Sequence, residues 1–90
     1  MEIRIDFPKL PQGKSLDAMK AELDAVLEDD GWLIGSSLAD SGAGYVELEL
    51  DEDKVNPKYG IVAVKNYLQK AGFAPETTME IAGAVVPIYQ

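Results

Sequence analysis

Two hydrophobic periods run along this chain. In "EIRIDF" (Glu2–Phe7) the period is two, with Ile3, Ile5 and Phe7 on one face and Glu2, Arg4 and Asp6 on the other. That pattern predicts a half-buried strand. "YVELEL" repeats it, with Val46, Leu48 and Leu50 inward and Tyr45, Glu47 and Glu49 outward. Between them Leu16, Met19, Leu23, Val26 and Leu27 recur at helical spacing, behind Ser15 as N-cap and Asp17 in the first turn. A second helix is expected to open on Asn56-Pro57 and to bury Ile61, Val64, Leu68 and Ala71. Both helices end in a glycine followed by an aromatic residue, Gly31-Trp32 and Gly72-Phe73. The glycine is expected to take the left-handed conformation, and the aromatic ring to fold back on Leu27 or Leu68.

The remaining segments complete the order. "WLIGSSL" reads as a second strand and "ADSGAGY" as a turn. "ETTMEIAGAVVPIY" reads as one closing strand, broken near Gly83 and confined by Pro87 to an edge or a bulge. The order is βαββαβ. Two helices with one apolar stripe each bury one face of a four-stranded antiparallel sheet. The expected fold is therefore α+β, a ferredoxin-like two-layer sandwich over residues 1–90 as a single domain, with the first and third strands central. The other sheet face is expected to be open.

Composition narrows the chemistry. The 90 residues include no cysteine and no histidine. Thiol chemistry and thiolate metal sites are thus excluded, as is a serine–histidine dyad. No cofactor is called for, and an enzyme is not expected. Eight basic against sixteen acidic residues leave a net charge of −8. Such a chain repels phosphate backbones and anionic membranes, and it favours encounter with a basic protein. No apolar run is long enough for a membrane span, and "MEIRIDF" is not a signal peptide, so a cytoplasmic location is the default expectation.

The acids fall in clusters. Glu47 and Glu49 beside Tyr45 form the solvent-side half of a strand, where Arg4 can pair with a glutamate across strands. Glu28, Asp29 and Asp30 lie at the end of the first helix, where the helix terminus already carries partial negative charge. Trp32 follows them, either as a staple on the helix end or as an interface anchor. Asp51, Glu52 and Asp53 lack the glycine and distal glutamate of a calcium loop. These ten residues, Glu28, Asp29, Asp30, Trp32, Tyr45, Glu47, Glu49, Asp51, Glu52 and Asp53, are the candidate partner-binding set. The alternative is a solvated surface with no further role. Tyr59, Tyr67 and Tyr89 are expected to be half-buried structural residues, and the apolar tail "AVVPIY" can join an exposed edge to a second copy of the chain.

Taken together, "IRIDF", "DSGAG", "VELEL", "YLQKAGF", "APETTMEI" and "VPIY" give the whole chain a pattern that resembles a loose group of small bacterial ferredoxin-like proteins. Some of that group look like immunity proteins of toxin loci. The resemblance implies a non-enzymatic protein that neutralises a basic toxin by occlusion, and it carries over no specific functional residue. The alternative is a dimeric, small-molecule-binding regulatory module of the ACT kind. Copper chaperones of this topology need Cys-x-x-Cys, and acylphosphatases need an arginine in a phosphate-cradling loop. Here the one arginine, Arg4, lies inside a strand.

Overall fold

The computed structural model describes residues 1–53 and 57–89. The elements are β1 (Glu2–Phe7), α1 (Leu16–Leu27), β2 (Gly31–Leu38), β3 (Gly44–Leu50), α2 (Pro57–Ala71), β4 (Thr78–Ile81) and β5 (Ala84–Pro87). They form one α+β unit with a five-stranded antiparallel sheet in the order β2-β3-β1-β4-β5. The expected cap at Asn56 lies outside the described residues. Among the described residues no helix is long and apolar enough to cross a membrane.

The period-two strands place their side chains as their alternation requires. Ile3, Ile5, Phe7, Val46, Leu48 and Leu50 are all buried. They join Met19, Leu23 and Leu27 of α1, and Val64 and Leu68 of α2, in one core cluster. Both helices thus cover the same sheet face. Ser15 caps α1 by accepting from the Ala18 backbone N–H at 3.1 Å. Glu22 ties the two helices and the loop before α1 at one point, accepting from Lys14 Nζ and from the Tyr67 hydroxyl, each at 2.6 Å.

Four strands were expected and five form. The stretch after Thr77, read as one strand broken near Gly83, makes a full chain reversal there. Ala82 and Gly83 both take positive φ, 51° and 84°, which folds Ile81 back on Ala84 as a tight hairpin. Pro87 ends the resulting edge strand, where its missing N–H is harmless.

The two helix ends differ from expectation and from each other. At α2, Gly72 (φ 85°) and Phe73 donate to the carbonyls of Gln69 and Leu68 at 3.2 Å each, and Phe73 is buried. This is the Schellman ending the sequence implied. At α1 the helix stops three residues before Gly31. Glu28 takes φ 53° and ψ −121°, and Asp30 donates to the Leu27 carbonyl at 2.8 Å. That is a type II′ turn, with a glutamate where glycine is preferred. Gly31 is instead the first residue of β2. A Cβ there would lie 2.4 Å from the Glu49 carbonyl oxygen, so only glycine fits between β2 and β3. Trp32 does not fold back on Leu27. It pairs with Glu49 on the face away from the helices and stays half exposed.

Candidate functional site

Strand register turns the open face into a grid of three rows. The first row crosses Trp32, Glu49 and Glu2. The second crosses Gly35, Glu47, Arg4, Glu80 and Val85. The third crosses Ser37, Tyr45, Asp6, Thr78 and Pro87. Residues paired across strands share a face, so each row is a line of neighbours.

Arg4 sits at the centre. Glu47 and Glu80 are its cross-strand partners by register. Its Nε donates to Asp6 Oδ1 at 3.1 Å, and its guanidinium lies 4.1 Å over the Tyr45 ring. The expected pairing with a glutamate is thus replaced by a bond along its own strand and a cation–π contact. Asp6 stands two residues on, on the same face, within easy reach. The bond to Asp6 and the nearby charge of Glu47 push the guanidinium pKa further up, so Arg4 is a permanent cation. Glu2, Asp6, Glu47, Glu49 and Glu80 thus surround one positive charge. Arg4 is the only base on the described strands. The α2 sequence from Pro57 to Ala71 carries Lys58, Lys65 and Lys70 and no acid. Negative charge is therefore denser on the open sheet face than on α2.

The fold brings together the two acidic clusters that the sequence separates. Asp51 donates its backbone N–H to the Asp30 carbonyl at 2.7 Å, so the Glu28–Asp30 turn adjoins the Asp51–Asp53 segment. Asp51 Oδ1 in turn accepts from the Asp53 N–H at 3.0 Å. Glu52 lies 3.9 Å from the terminal ammonium. This acidic end adjoins the row of Trp32 and Glu49, since Leu50 and Asp51 continue β3 directly. All ten candidate residues therefore lie on the open face or the acidic end beside it. Among the described residues no three acids converge closely enough to hold a metal ion.

Two hollows flank Arg4. One, of about 460 Å³, is bounded by Glu2, Glu47, Glu52 and Glu80 near the β4–β5 turn. The other, of similar size, lies between Tyr45, Ser37 and Glu76. Both open broadly to solvent, which fits a docking surface better than a closed ligand cavity.

Sequence reasoning missed three features here. Arg4 was read as a pairing residue, not as the centre of the grid. Gly35 is expected only as one residue of the second strand, with no face assigned to it. The structure places it on the open face because Ile34 is an extra residue in a bulge between Leu33 and Gly35. Tyr59 is not half-buried but 69% exposed. It lies two positions before Ile61, roughly 200° round the helix from the buried stripe.

Comparison with known proteins adds nothing to this geometry: no family model, no curated protein and no solved structure matches the chain.

Proposed function

We propose that this chain is a non-enzymatic binding module that captures a basic protein on its open sheet face. In the form we favour it is a cytoplasmic immunity protein that neutralises a basic toxin by occlusion. In this reading β1 to β4 with both helices are a ferredoxin-like sandwich, and β5 is an added edge.

The observation that carries the reading is the grid. Five carboxylates and one arginine occupy a face that no helix covers, with Trp32 and Tyr45 among them. Aromatic residues beside complementary charge are the usual anchors of an interface. The acids raise the rate of encounter with a cationic surface, and the aromatics and backbone supply contact once it arrives. The adjacent end, with Glu28, Asp29, Asp30, Asp51, Glu52 and Asp53, extends the same potential.

The test is calorimetric titration of the protein encoded by the neighbouring gene, expected on this reading to be basic, at 50 and 300 mM NaCl. The affinity is expected to fall about tenfold or more between the two salts. Glu47→Lys with Glu49→Lys should abolish binding while leaving the circular dichroism spectrum unchanged. Affinity that ignores both salt and charge reversal would overturn the reading.

A further inference from the structure

The two edges of the sheet are not equivalent. β5 has four residues, is closed at one end by a tight turn and ends in Pro87. β2 has eight residues, "GWLIGSSL", with no charge and no proline. Among the described residues only α1 and β3 pack extensively on it, and no strand pairs with its outer side. Trp32, Ile34 and Leu38 stand 49%, 48% and 45% exposed along it. Edge strands are normally blunted by charge, proline or shortness, and the Ile34 bulge is the sole such device here.

One detail says what the edge accepts. Gly35 leaves a gap in the open face, and the Glu47 carboxylate leans into it. Glu47 Oε1 lies 3.9 Å from where a Gly35 Cβ would be. Glu47 thus holds one carboxylate oxygen beside the glycine, in the row that ends at the free edge. On the helix side of the same strand, Lys20 borders the hollow beside Ile34 and Ser36. A strand laid along β2 therefore meets negative charge on its open-face side and positive charge on its helix-face side.

We infer that β2 is a docking edge for an extended segment of the partner, which adds as a sixth strand with basic and apolar residues alternating. This deepens the capture reading above and rests on it. Basic side chains of the segment fall on the open face, one opposite Gly35 reaching Glu47 and another over the Trp32 ring. Its apolar residues cover Leu38 on the helix side. A register slip of one residue would turn the basic side chains toward Lys20, so the alternation fixes the register. A second copy of this chain is the poorer occupant. Antiparallel pairing of β2 with itself in the register that sets Gly35 opposite Gly35 would bring the Glu47 carboxylates of both copies together across the two glycine gaps, and like charges so placed repel.

The probe is an acetylated, amidated heptapeptide alternating lysine and valine, followed by amide NMR with hydrogen exchange on the full chain. Binding should slow exchange at β2 backbone amides, and Glu47→Gln should weaken it about threefold. The same alternation built with glutamate should not bind. Gly35→Ala, whose Cβ meets no atom closer than ordinary contact, keeps the fold and should weaken binding by filling the gap. Peptide binding that shifts Arg4 and Glu80 without protecting β2 would overturn the edge and leave the capture reading standing. Absence of peptide binding, with the salt-dependent calorimetric signal intact, would do the same. β2 protection that rises with protein concentration alone would assign the edge to a second copy instead.

Discussion

The two helices of this protein finish on the same two-letter signature and do opposite things with it. After α2 the glycine takes the left-handed conformation, the ring of Phe73 enters the core, and it meets Phe7 edge-on at 5.9 Å. After α1 the glycine is a strand residue pressed against the Glu49 carbonyl, a glutamate holds the strained position, and the ring of Trp32 turns to water. A stop signal therefore means only that the helix ends. Where the next element starts decides which way the aromatic points. Five residues separate Gly72 from β4, whereas β2 begins at Gly31 itself, with no slack for a fold-back.

The contrast makes ordered predictions for stability, each measured by chemical denaturation. Phe73→Ala should be the most damaging, at about 3–5 kcal/mol, because it empties a buried site. Gly72→Ala should cost about 1–2 kcal/mol. The methyl has open space there, so the loss is the backbone's alone. Glu28→Gly should stabilise by about 1 kcal/mol, relieving the type II′ position and removing an anion from the helix end. Trp32→Ala should change stability by no more than about 0.5 kcal/mol. A large loss for Trp32→Ala, or none for Phe73→Ala, would erase the distinction between the two ends.

The smallest effect lies in pH. Hydrogen bonds from Lys14 and Tyr67 hold the Glu22 carboxyl below its usual range. A depressed carboxylate contributes stability that is present above the unfolded pKa and is lost as pH falls through the folded one. The Tyr67 phenol is pushed well above its ordinary value of 10 by burial and by Glu22. Its contribution is full below the unfolded pKa and disappears only in strong alkali, as pH rises toward the raised value. Glu22→Gln should flatten the stability profile below about pH 4.5, which a urea series between pH 3 and 6 would read.

Much of this was legible in the pattern of residues. The parity of "EIRIDF" and "YVELEL" placed Arg4, Tyr45, Glu47 and Glu49 on the open face, and the stripes of both helices chose the core. What escaped has a common cause. Local patterns cannot register an extra residue, and the Ile34 bulge shifts the parity of β2, so Gly35 falls beside Glu47. Nor do they tell a break from a reversal: Gly83 marks the break in the sequence, but the second positive φ that closes the hairpin falls on Ala82, which carries no turn signal. The meeting of Asp30 with Asp51 is a product of strand pairing alone, since 20 positions of sequence lie between them and the contact is one backbone hydrogen bond.

The single indole of the chain has a practical consequence. Already half in water beside Glu49, it will change its emission little when the chain melts. Anything laid across that corner of the sheet will quench or shift it. The molecule thus carries an optical gauge of occupancy that is nearly blind to unfolding, and its melting has to be followed through the backbone instead.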